Sequence, residues 1–143
     1  MNRRLNVDER LACSLRGHGG EMPQILVVED DASIRGLLSE VLRDDGYEVS
    51  EASNGVEALE AVGERRPDLI VLDLMMPIMD GWTFVEECRR SRACDEVPIV
   101  VTSAAHDLPR TAELLRSFGV RTCLAKPFDV DGLLALVERY VPG

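Results

Sequence analysis

Four short apolar runs each end on residues able to do chemistry. Gln24–Val28 leads into Glu29-Asp30-Asp31, Leu69–Leu72 into Asp73, Ile99–Thr102 closes on Thr102-Ser103, and Val120–Ala125 leads into Lys126-Pro127. A fifth run, Tyr47–Ala52, ends on Ala52-Ser53 and offers no charge. Two carboxylates about 4 Å apart repel by roughly 4 kcal/mol at an effective dielectric near 20, so Glu29, Asp30 and Asp73 gathered at one rim call for a cation. Oxygen ligands with no His or Cys among them favour a hard divalent ion, Mg2+ retaining several waters. Lys126 is the only lysine among 16 basic residues, which points to a place for a compact ammonium that a planar guanidinium would not fill. A carboxylate, a divalent ion, an ammonium and a hydroxyl around one spot describe a phosphoryl-transfer site, in which a carboxylate can act as nucleophile.

Between these runs the chain has helical period. Ile34, Leu37, Leu38, Val41 and Leu42 follow the i, i+3, i+4, i+7 rule of a one-faced helix, and Leu133, Leu134 and Val137 repeat it with Asp129 placed as N-cap. Phe84, Val85 and Cys88 mark a helix opened by Asp80-Gly81, and Leu108, Ala112, Leu115 and Phe118 mark a fourth. Gly46, Pro67, Pro98 and Gly119 stand before the later strands as terminators. The pattern predicts an α/β fold of five strands and five helices in strict alternation. Runs this continuously apolar need cover on both faces, so the sheet is expected to be parallel and doubly wound. In a flavodoxin-like order, 2-1-3-4-5, the four strands carrying chemical groups lie side by side, at the carboxyl ends where open α/β sheets bind ligands.

ILVVEDD at 25–31, LIVLDLMMPIMDG at 69–81, IVVTSA at 99–104 and LAKPF at 124–128 stand in an order and at spacings that together resemble the receiver domain of bacterial response regulators, a CheY-like domain over residues 22–143. The resemblance implies that Asp73 is the phosphoacceptor, that Asp30 is the principal Mg2+ ligand, and that Glu29 holds the metal directly or through water. It implies that the backbone carbonyl of Met75 is the remaining protein ligand, that Thr102 turns its hydroxyl onto the phosphoryl group, and that Lys126 pairs with that group. A cis peptide before Pro127 is also implied. Asp31 matches an acidic position with no direct role.

A cytoplasmic two-component switch follows from the resemblance: a phosphoacceptor that assists its own phosphorylation and dephosphorylation rather than an enzyme turning over free substrates. Its donor would be a sensor histidine kinase or a histidine phosphotransfer protein. Its helix 4–strand 5–helix 5 face (Leu108–Phe118, Arg121, Cys123 and the last helix) would repack for a downstream protein target, or serve in a homodimer. Cys123 stands where the family commonly has Tyr or Phe, so the usual aromatic coupling must be absent or replaced. The chain ends at Gly143, just past the last expected helix, and the expectation is a stand-alone receiver that controls a partner or passes the phosphoryl group on. A haloacid-dehalogenase-type phosphatase would need a second acid two residues past the nucleophile, where this chain has Met75. A flavin- or nucleotide-binding module would need a Gly-rich or Ser/Thr-rich loop where Glu29-Asp30-Asp31 stands. A degenerate receiver would lack the acceptor, a metal acid or the lysine, and none is missing.

Composition agrees. Of 143 residues, 45% are hydrophobic and 29% charged, the balance of one globular domain. A formal charge of −10 opposes direct binding to nucleic acid or anionic membranes. No apolar run approaches the roughly 18 residues of a membrane span. Residues 1–21 hold four arginines and three acids and end in a Gly-rich stretch; they read as a flexible extension, and the codons for Gly19-Gly20-Glu21 can spell a ribosome-binding sequence ahead of an alternative start at Met22. Cys13, Cys88, Cys94 and Cys123 form no Cys-x-x-Cys pair and read as reduced.

Overall fold

β-Branched and leucine side chains fill the strand runs, and parallel pairing lets each strand bury both of its faces. The computed structural model describes residues 22–104, 113, 116–120 and 122–141. In chain order these form β1 (Gln24–Val28), α1 (Ala32–Asp44), β2 (Glu48–Ala52), α2 (Gly55–Glu64), β3 (Leu69–Asp73), α3 (Gly81–Arg90), β4 (Ile99–Ala104), β5 (Thr122–Lys126) and α4 (Val130–Tyr140). The expected extension over 1–21, Arg121 and most of the expected helix over Leu108–Phe118 lie outside the described residues.

All pairings are parallel and the order is β2-β1-β3-β4-β5, as anticipated. Alternate residues of the central strands feed two cores. Leu26, Val28, Ile70, Leu72, Ile99 and Val101 meet α2 and α3 on one face. Ile25, Val27, Leu69, Val71 and Val100 meet α1 and α4 on the other. The edge strand β2 is mostly exposed. The buried Tyr47 hydroxyl donates to the Val141 carbonyl at 2.9 Å, tying the end of α4 to the start of that edge.

Side chains cap the helices where the sequence placed them. Asp80 accepts from the Thr83 amide at 2.8 Å, and Asp129 accepts from the Gly132 amide, each satisfying a free N-terminal donor. Glycine at 81 has a packing reason: a Cβ there would stand 2.7 Å from Leu74 Cα and 2.9 Å from the Asp73 carbonyl oxygen. Gly36, inside α1, has nothing within 4 Å of such a Cβ. Urea denaturation is therefore expected to find Gly36→Ala more stable by about 0.5–1 kcal/mol and Gly81→Ala less stable by about 1–3 kcal/mol. Equal effects of the two would contradict this packing.

Two expectations need correction. The buried stripe of α1 is Leu38, Ser39 and Leu42, whereas Ile34 and Leu37 are exposed, Leu37 by 52%. The helix meets the sheet along a narrower face than its apolar pattern spans. Cys88 and Cys94 are not free thiols but joined in a disulfide, their Cα atoms 5.5 Å apart. The turn after α3 folds back through Arg92, at positive φ, and brings Cys94 to the helix end within bridging distance. Cys123 is a free thiol, and burial pushes it up from its ordinary pKa.

Candidate functional site

The strand order reverses between β1 and β3, and the crevice outside their carboxyl ends is where such sheets take ligands. Register does the positioning: Val28 pairs with Leu72, so Glu29 and Asp73 emerge side by side. Asp73 pairs with Thr102, and Ala104 at the end of β4 pairs with Lys126. Glu29, Asp73 and Thr102 are buried, while Asp30 is exposed at the rim.

One carboxylate oxygen from each of Glu29, Asp30 and Asp73 lies within 4.8 Å of the others. The Lys126 ammonium reaches Asp73 Oδ1 at 3.2 Å and Glu29 Oε2 at 3.3 Å. One ammonium cannot balance this many carboxylates, and a divalent cation would supply the missing positive charge. The all-oxygen donor set fits Mg2+. The Lys126–Pro127 peptide is cis, as the motif implied.

Burial and the neighbouring Asp73 carboxylate push Glu29 from its ordinary 4.5 up to about 7, against the pull of Lys126. Burial likewise raises Asp73, again opposed by Lys126. Burial draws the Lys126 ammonium down, but Asp73 and Glu29 outweigh it and hold the lysine above its ordinary value. The folded chain thus keeps the Glu29 proton to about pH 7, whereas the unfolded chain releases it near 4.5. Stability of the metal-free protein should fall as pH rises through that window, because the folded state binds more protons there. Mg2+ needs the ionised carboxylate and should bind more weakly as pH falls below 7. Urea midpoints in EDTA should decline from pH 5 to 7.5 in the wild type, and Glu29→Gln should flatten the decline. An equal decline in that variant would assign the slope elsewhere.

The remaining expected residues fall as follows. Asp31 is the N-cap of α1, accepting from the Ser33 and Ile34 amides at 2.9 and 3.0 Å, and is absent from the carboxylate cluster. Met75 is exposed, and its amide donates to Asp73 Oδ1 at 3.3 Å. The Thr102 hydroxyl donates back to the Leu72 carbonyl at a long 3.5 Å, a weak bond that costs little to leave. Sequence reading missed Arg35, which donates to the Glu29 carbonyl at 2.8 Å and pairs with Glu51 at 3.3 Å. An arginine one turn into the helix that follows the acidic triplet was the available signal.

With this geometry in view, the sequence signature of the response regulator receiver domain matches residues 25–138, and the chain belongs to that family. Receiver domains generally bind Mg2+, and response regulators interact with kinases and phosphotransfer proteins. The sporulation initiation phosphotransferase F of Bacillus subtilis is 38% identical over 120 residues, 83% of this chain and 94% of that protein. The DNA-binding response regulator MtrA of Mycobacterium tuberculosis is 43% identical over 115 residues, 80% of this chain and 49% of that protein, so the chain spans about half its length. The structure of the Vibrio cholerae chemotaxis protein CheY4 superposes with a TM-score of 0.78 at 34% identity, covering 85% of this chain and all of that one. No helix among the described residues is long and apolar enough to cross a membrane.

Proposed function

We propose that the chain is a phosphoacceptor switch in which Asp73 takes a phosphoryl group from the phosphohistidine of a sensor kinase or phosphotransfer protein. The carrying observation is the placement of the Lys126 ammonium between the buried carboxylates of Asp73 and Glu29. An Asp73 carboxylate oxygen attacks the phosphorus of a phosphohistidine protonated on its other ring nitrogen; the P–N bond breaks with its electron pair going to nitrogen, leaving an aspartyl phosphate and a neutral imidazole. Glu29, Asp30, Asp73 and the Met75 carbonyl would hold Mg2+, which neutralises charge on the transferring oxygens. Lys126 pairs with the new phosphoryl oxygens, and Thr102 leaves the Leu72 carbonyl to donate to them. These two movements repack the strand 5 side of the domain, where a downstream protein reads the state. The near end-to-end likeness to a relative named as a phosphotransferase supports onward transfer along a relay as one output.

The direct test is intact-mass analysis after incubation with acetyl phosphate, with and without Mg2+. One added phosphoryl group that requires Mg2+ is expected; no gain in a protein that binds Mg2+ would overturn acceptance from small donors. Met75 and Ala104 occupy the positions two past Asp73 and Thr102, and neither side chain can orient a hydrolytic water. The phosphorylated form should accordingly persist for minutes or longer, and mass spectra that show its loss within seconds would contradict this.

A further inference from the structure

The segment Leu74–Asp80 between β3 and α3 carries Met75 and is constrained at several points. At its base the Gly81 amide donates to the Leu74 carbonyl at 2.9 Å. Met76 is buried in the core beneath it. At its tip the Met79 amide donates to the Pro77 carbonyl at 2.8 Å, closing a three-residue turn centred on Ile78 at φ 70°. A β-branched residue avoids that left-handed region. Ile78 is 82% exposed, so its own packing does not hold it there.

The restraint comes from α2. The Gly55 amide donates to the Met79 carbonyl at 2.9 Å. A Cβ at 55 would stand 2.5 Å from Met79 Cγ and 2.8 Å from both Met79 Cβ and the Met79 carbonyl oxygen. Any side chain would therefore push the loop backbone away. A strained turn persists only where its surroundings over-determine it, and Gly55 supplies the contact next to the strained residue. The other end of the same short loop meets the acceptor through the Met75 amide and Asp73 Oδ1 at 3.3 Å.

We propose that Gly55 is a positioning residue for the cation site: by admitting the Met79 carbonyl against the first turn of α2, it holds the strained loop in the shape that keeps Met75 beside Asp73. The inference rests on the reading of Glu29, Asp30, Asp73 and Met75 as the Mg2+ site. Gly55 acts through the loop, as outer-shell groups do when they orient metal ligands.

Two measurements on the full chain test it. Calorimetric titration with MgCl2 should show about tenfold weaker binding for Gly55→Ala and unchanged binding for Gly63→Ala, a change in the same helix with nothing within 4 Å of the new methyl. Should Gly55→Ala fail to fold, hydrogen exchange on the wild type carries the test. Coupling is reciprocal, so Mg2+ must slow exchange of the Gly55 amide as well as of Met75. Mg2+ that slows Met75 exchange but leaves the Gly55 amide unchanged, or binds Gly55→Ala as tightly as wild type, overturns the inference alone. A wild-type chain that binds no Mg2+ overturns the site reading and this inference with it.

Discussion

Asp73→Asn should abolish phosphoryl uptake from acetyl phosphate entirely while the fold survives. The amide preserves the shape of the side chain and its Oδ1 can still accept from the Met75 amide, but it is no nucleophile at neutral pH. It also removes the Asp73 charge that, after burial, is the larger cause of the raised Glu29 pKa. Glu29 should then titrate closer to its ordinary range, and the urea midpoint at neutral pH should be no lower than in the wild type. Intact mass reads the first outcome and denaturation the second. A phosphoryl group still acquired by Asp73→Asn would show that another side chain is the nucleophile.

Lys126→Ala should separate uptake from switching. The substitution deletes the ammonium that bridges Asp73 and Glu29 at 3.2 and 3.3 Å but leaves the three acids of the proposed cation site. Uptake therefore continues, while the phosphoryl group loses a charge-assisted partner worth about 1.5–3 kcal/mol. That loss lowers the population of the switched state roughly 10- to 100-fold. Hydrogen exchange across β5 and α4 provides the readout. Wild type should change its protection there on phosphorylation, and Lys126→Ala should not. An identical change in the variant would remove Lys126 from the coupling and leave Thr102 as the link.

The fold and most of the site were readable in the sequence for different reasons. The stretches Ile25–Val28, Leu69–Leu72 and Ile99–Val101 are apolar at every position, which no one-sided strand tolerates, so parallel pairing and two helical layers followed from pattern alone. Asp80 and Asp129 announce helix starts because capping is local chemistry. The face of α1 misled, because Ile34 and Leu37 satisfy helical periodicity as well as Leu38 and Leu42 do. Only the packing of the helix on the sheet through Leu38, Ser39 and Leu42 leaves them in solvent. The Cys88–Cys94 bond was hidden for a related reason: a left-handed residue, Arg92, closes a turn that no cysteine spacing encodes. Arg35 and Gly55 act on backbone carbonyls, which carry no sequence signature.

Which residue types stand at the ends of which strands is a property of the sequence alone, and so is the α/β class. Their meeting is not. Lys126 and Glu29 are 97 positions apart and come within 3.3 Å because strand order and register carry β1, β3, β4 and β5 to a common edge. The sheet behind that edge is apolar on both faces, and burial together with the Asp73 charge pushes Glu29 up to about 7. Burial is set by the whole packed sheet, and it turns three acidic residues and one lysine into a site with a defined charge.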